Sequence, residues 1–193
     1  LMVCFGAMAQ KESISPLRPS AASFMQPTGA DSAWVGSVFR KMSRKKGLET
    51  LFMVPVYSRD PQNKRDSVIN LIHKYKAGGI ITFQGGPVRN AILINRVQQG
   101  LDVPVLVATD GEWGLGMRLD STVSYPFQMT MGAIQDNKLI YEVGQQMAAQ
   151  FRRAGMQVNF APVVDVNNNI NNPVINFRSF GENKYNVAAK GAA

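Results

Sequence analysis

With 193 residues, 45% of them hydrophobic, the chain has the size of one ordinary domain or part of a larger one, and can bury a core. A formal net charge of +8 raises nucleic acid as a partner, but much of the excess sits in Arg40-Lys41-Met42-Ser43-Arg44-Lys45-Lys46, which reads as a solvated helix end without interleaved aromatics, so none is expected. One histidine and one cysteine argue against a zinc site or a Ser-His-Asp triad, and no metal or cofactor is expected.

Residues 1–9, LMVCFGAMA, read as the remnant of a signal peptide, with Ala7-Met8-Ala9 as a cleavage site before Gln10. The apolar run is too short to span a bilayer, and no other stretch is long enough. Cys4 sits in a poor lipoprotein box, because Val3 stands where a small residue belongs. Ordinary export, to the periplasm or the extracellular space, is the expectation. Residues 10–38 form an N-terminal segment, linker-like and rich in Ser, Pro and Ala to about residue 30.

Regular structure begins near Leu48. Leu51 to Val56 is a short apolar run and a first buried strand. Pro61 suits the first turn of a helix behind an Asp60 cap. Val68, Leu71, Ile72 and Tyr75 recur at i, i+3, i+4 and i+7 as its apolar face. Gly78-Gly79 stops that helix. A second strand covers 79–83, Gln84-Gly85-Gly86-Pro87 turns the chain, and 88–99 forms a second helix. The third strand is 103–109. Asp136 caps a third helix with Ile140, Val143, Met147 and Phe151 on one face. The fourth strand lies in 157–164, and a fourth helix begins at Tyr185.

Four β-loop-α units in series predict a parallel α/β sheet. The strands are continuously apolar, as parallel strands covered on both faces should be. Such a set makes a small open sheet or the first half of an eight-unit barrel. In either, chemistry gathers at the C-terminal strand ends, here just after Val56, Phe83, Thr109 and Val164.

Asp110 follows the third strand in Thr109-Asp110-Gly111-Glu112-Trp113-Gly114, and Arg118 comes eight residues later. A carboxylate at a strand end can grip a pair of neighbouring hydroxyls. The glycines admit a close ligand, and Trp113 offers a flat apolar face. Together these describe a sugar site. On spacing alone, Asp110 capping a turn while Arg118 pairs with Glu112 or Asp120 is an equal reading. After the fourth strand comes a long Asn-rich loop, of a length that is usually functional or disordered. It carries Arg178 between Phe177 and Phe180, where packing would hold the arginine, either toward a ligand oxygen or toward loop carbonyls. Gln84 to Pro87 lacks the spacing and lysine of a phosphate loop and reads as a turn near a pocket rim. His73 falls on a helix surface or flank.

The ordered segments GGIITFQGGP, TDGEWGLGMRL, YPFQMTMGA, NFAPVVDVNNN and NPVINFRSFG resemble the N-terminal domain of glycoside hydrolase family three, most closely its β-N-acetylhexosaminidase branch. The resemblance covers 39–193. It implies the first four units of a (β/α)8 barrel that removes β-linked N-acetylglucosamine with retention. It also implies that Asp110 and Arg118 hold sugar hydroxyls and that Arg178 assists. The family's nucleophilic aspartate and acid/base histidine fall downstream of the matched segments, so the chain is expected to bind sugar without carrying the catalytic pair. Two departures, the basic SRKKGLETLFMV before the first strand and Ile170 where proline is frequent, lie away from these residues. A non-catalytic sugar-binding or assembly protein is the rival reading.

Overall fold

A computed structural model describes residues 28–193. The expected signal remnant with Cys4, and the linker over 10–27, lie outside the described residues. Two compact units divide between Met42 and Ser43. In the first, helix α1 spans Gly29–Lys41, so the linker expected to about residue 30 gives way to helix at Gly29. Its start is a capping box: the Asp31 amide donates to Thr28 Oγ1 at 3.2 Å and the Thr28 amide donates back to Asp31 Oδ2 at 3.0 Å.

The second unit opens with α2, Arg44–Glu49, capped by the Ser43 hydroxyl. The basic run therefore spans a helix end and a helix start, with Arg40, Lys41, Arg44 and Lys45 exposed as expected. The elements that follow are β1 (Met53–Val56), α3 (Gln62–Tyr75), β2 (Gly79–Thr82), α4 (Pro87–Gln98), β3 (Leu106–Thr109), α5 (Gln128–Gly132), α6 (Asn137–Arg153), β4 (Val158–Asn159) and α7 (Lys184–Ala192). The four strands are parallel neighbours in the order β1-β2-β3-β4.

Local signals placed most elements, with corrections. The α3 cap is Pro61, while Asp60 instead pairs with Lys64 at 3.0 Å. The buried residues of α3 are Ile69 and Ile72; Leu71 and Tyr75, expected inward, are each more than 40% exposed. The α6 face of Ile140, Val143, Met147 and Phe151 is as read, and Asp136 Oδ1 accepts from the Lys138 amide at 2.9 Å. All four strands are shorter than expected: Leu51 and Phe52 precede β1, Phe83 follows β2, the chain bends at Asp102–Val103 before β3, and regular pairing of β4 stops at Asn159. Helix α5 stands in a stretch to which the sequence reading assigned no element.

The helices cover one sheet face. Val54, Ile80 and Val107 are aligned across the strands; Ile80 and Val107, with Val56 on the same face, pack with Ile69, Ile72, Leu93, Ile94 and Val97 into the main core, and Val54 lies against it. On the opposite face Pro55 and Leu106 are exposed while Gly79 and Ala108 are buried, so the two-sided cover expected of these strands is incomplete. A smaller cluster joins Met131 of α5, Ile140 of α6 and Val187 of α7 to Phe180. His73 lies on the α3 flank, its Nε2 2.9 Å from the Val97 carbonyl, which makes that nitrogen the donor. No helix among the described residues is long and apolar enough to cross a membrane.

Candidate functional site

The strands deliver Tyr57, Phe83, Asp110 and Phe160 to one end of the sheet, each as the first residue after its strand. The Tyr57 and Phe83 rings stack with centroids 5.3 Å apart. The Arg118 guanidinium carbon lies 4.9 Å from the Phe83 centroid, a cation–π contact that orients the guanidinium plane.

Asp110 and Arg118 meet. Arg118 Nη2 donates to Asp110 Oδ2 at 2.9 Å, and Nε donates to the Asp110 carbonyl at 3.0 Å. Arg118 thus pairs with neither Glu112 nor Asp120; Asp120 takes Arg89 at 2.6 Å instead. The loop between Asp110 and Arg118 folds back through a short 3-10 turn at Leu115–Met117, whose Leu115 is buried in the main core. Gly114 enters that turn at φ 88°, a conformation that penalises any side chain.

The Gln84 to Pro87 segment, expected as a turn, bends at Gln84, bridges Leu119 through Gly85 and enters α4 at Pro87, and it also fixes Arg118. The Gly85 amide donates to the Arg118 carbonyl at 3.1 Å, and the Asp120 amide donates to the Gly85 carbonyl at 2.8 Å. A Cβ on Gly85 would lie 1.7 Å from Ser58 Oγ, so glycine is needed for this approach. From the other side Asn159 of β4 holds the Asp110 loop, its Oδ1 accepting from the Gly111 amide at 2.9 Å.

Arg178 reaches the same end. Its Nε lies 2.9 Å from Glu112 Oε2 and 3.1 Å from Oε1, and its Nη2 donates to Oε1 at 2.7 Å. The grip expected from Phe177 and Phe180 is therefore supplied by a carboxylate. Phe180 is instead buried in the smaller core, and Phe177 leans on Phe127, which in turn meets Trp113 edge-on with centroids 4.9 Å apart. Trp113 is half-buried, so it forms one wall of an aromatic cluster more than a free platform. Buried Ser179 donates to the Asp165 carbonyl at 2.5 Å and, with Phe180, anchors the loop so that Arg178 projects outward. Hydrogen bonds to Glu112 hold the Arg178 guanidinium above its ordinary pKa against partial burial, and the charges of Glu112, Asp165 and Asp110 add to the shift.

Asp110, Arg118, Glu112 and Arg178 carry charges that cancel, which suits a neutral ligand better than a phosphate. Asp110 Oδ1 has no hydrogen-bond partner among the described residues and its side chain is 29% exposed, leaving an acceptor open. Such an end can hold a polyhydroxylated molecule by charged hydrogen bonds, with the Tyr57–Phe83 stack nearby as apolar surface. Glu112 entered the sequence reading only as a possible partner of Arg118. The Glu112–Arg178 pair joins loops 66 residues apart and leaves no local signature.

The family described as "Glycosyl hydrolase family 3 N terminal domain" matches residues 42–193. A Beta-hexosaminidase A from Pseudoalteromonas piscicida is 35% identical over 136 residues, covering 64% of this chain and 23% of the relative. A Beta-hexosaminidase LpqI from Mycobacterium tuberculosis (strain ATCC 25618 / H37Rv) is 27% identical over 183 residues, covering 93% of this chain and 45% of the relative. Among solved structures, a glycoside hydrolase family 3 beta-N-acetylglucosaminidase from Paenibacillus sp. str. FPU-7 superposes with a TM-score of 0.64 at 32% identity, over 78% of this chain and 30% of that one. The chain spans less than half the length of each.

Proposed function

The chain belongs to glycosyl hydrolase family 3 through its N-terminal domain, and from that premise we propose that it serves an exported, retaining β-N-acetylhexosaminidase acting on terminal β-linked N-acetylglucosamine. The observation that carries the reading is the pair of carboxylate–guanidinium contacts, Asp110–Arg118 within the loop after β3 and Glu112–Arg178 between that loop and the one after β4, at the C-terminal end of the sheet. The matched relatives named as hexosaminidases supply the substrate class.

Retention needs a nucleophile on one face of the anomeric carbon and a proton donor at the leaving oxygen. In this proposal neither comes from residues 39–193. These residues bind and orient: Asp110 accepts from sugar hydroxyls, while Arg118 and Arg178 donate to sugar oxygens. Fixing the ring lowers the barrier by removing orientational freedom before the bond breaks.

Assayed on an aryl N-acetyl-β-glucosaminide, the full-length gene product should release the sugar with β configuration at the moment of cleavage, and residues 10–193 alone should release none. Absence of turnover by the full-length product would favour a non-catalytic sugar-binding protein. Turnover by the fragment, abolished by Asp110→Ala, would place the catalytic groups within this chain. Export is checked separately: the mature protein should begin at Gln10, and a lipid-modified Cys4 would make it a lipoprotein.

A further inference from the structure

The Glu112 side chain is 4% exposed, whereas that of Arg178 is 32% exposed. Burying a carboxylate costs several kcal/mol, which its partners must offset. Among the described residues Arg178 is the only side chain that hydrogen-bonds to Glu112. An apolar pair would fill the same volume without that penalty, so the ion pair is poorly explained as a stabilising device.

Its geometry suggests another use. Glu112 occupies the Nε and Nη2 edge of the guanidinium with both oxygens, and such a bidentate contact fixes the plane as well as the position. Nη1 donates to the Val174 carbonyl at 3.2 Å. A guanidinium has five N–H donors. One on Nε, one on Nη2 and one on Nη1 are engaged, so one on each terminal nitrogen is left. Those two are what Arg178 can offer a ligand, and their direction is set by the buried carboxylate.

We propose that Glu112 is a positioning residue, which pre-orients Arg178 so that its two remaining N–H groups face a sugar oxygen. The inference rests on the sugar-site reading of Arg178. Glu112 itself touches no substrate. Its contribution is made before binding, because an arginine already held in one rotamer loses little side-chain entropy on meeting the ligand.

The test is a double-mutant cycle in the full-length gene product, read as kcat/KM on an aryl N-acetyl-β-glucosaminide. Arg178→Met should lower kcat/KM by about tenfold or more and Glu112→Gln by a similar factor, while the double variant should be within about twofold of Arg178→Met alone, since residues that act as a unit are not additive. Glu112→Asp keeps the charge and should recover part of the Glu112→Gln loss. It also takes the place of Glu112→Gln in the cycle if that variant does not fold, with a smaller expected loss of about threefold and the same non-additivity. Losses that multiply, or a Glu112 variant with unchanged kcat/KM beside an impaired Arg178→Met, would overturn the positioning role and leave the sugar site standing. An Arg178→Met variant as active as the parent would instead remove Arg178 from the sugar site.

Discussion

Asp110→Ala in the full-length gene product is expected to lower kcat/KM on an aryl N-acetyl-β-glucosaminide by about tenfold to a hundredfold or more. A hydrogen bond involving a charged group contributes roughly 1.5–3 kcal/mol, and each 1.36 kcal/mol is about a factor of ten in rate. Asp110 keeps Oδ1 open for such a bond while Oδ2 is taken by Arg118. The substitution also frees Arg118, which retains its contact with the Asp110 carbonyl and with the Phe83 ring but loses the carboxylate that sets its outer nitrogen. Asp110→Asn separates shape from charge: it preserves volume but places either an amide donor or a neutral oxygen against Arg118 Nη2, and should fall between the parent and Asp110→Ala. The split between the constants is informative. A loss shared equally by kcat and kcat/KM marks a contact made in the transition state, and a rise in KM alone marks uniform binding. An Asp110→Ala enzyme with the parent's kcat/KM would dismiss the sugar-site assignment.

The second large effect is structural and lies at Gly132. A Cβ on this residue would sit 1.9 Å from the Phe180 carbonyl oxygen, a backbone atom that cannot swing aside. Gly132→Ala should therefore push α5 and the Arg178 loop apart. Relief needs a shift of over 1 Å, which pulls Phe180 from its cluster with Met131, Ile140 and Val187 and strains the bond from Asn186 Nδ2 to the Gly132 carbonyl. Overpacking of this kind costs about 1–3 kcal/mol, and a lost hydrogen bond about 1 kcal/mol more. The better helix propensity of alanine returns about 1 kcal/mol at most. The expected net loss is about 1–3 kcal/mol, or about 2–12 °C in Tm for a domain of this size. Gly144→Ala is the matched control, since an added Cβ there meets nothing within 4 Å and should stabilise α6 slightly. Equal melting temperatures for Gly132→Ala and the parent would show that α5 and the loop are not in the contact described. Because Arg178 stands two residues before Phe180, Gly132→Ala should also reduce activity.

What the sequence made legible was the part of the structure determined within a turn or two. The Asp136 cap and the α6 face need only the helix period, and both stand as read. The parallel sheet needs only strand–helix alternation, and it too is as expected. Asp110 and Arg118 lie eight residues apart, close enough for one loop to bring them together. On α3 the periodic face was ambiguous by one position, because Val68, Ile69, Leu71 and Ile72 are all apolar; packing against β1 and α4 selected Ile69 and Ile72 and left Leu71 outside. The Glu112–Arg178 pair and the Gly85–Leu119 bridge join segments separated by 66 and 34 residues, and no local period records them. β4 is only Val158–Asn159, and the apolar run from Phe160 to Val164 conceals where its regular pairing stops.

The succession β1-β2-β3-β4, in which every strand lies beside the one made just before it, bears on how the chain leaves the ribosome. Met53 pairs with Gly79 and Gly79 with Leu106, so each new strand needs only about 26 residues of further chain before its neighbour is already waiting. Translation at about 5–20 residues per second delivers each such interval in a few seconds, whereas closing short loops takes well under a millisecond. The first three units can therefore dock in order of synthesis, with no strand held back for a partner still to be made. The pause comes before β4, because Ala108 pairs with Val158 and about 50 residues intervene. During that interval the open edge of β3 is the newest exposed surface of the nascent chain. Ribosome-bound chains stalled between these two strands are where a chaperone would find its binding site, and extension past Asn159 should end that protection.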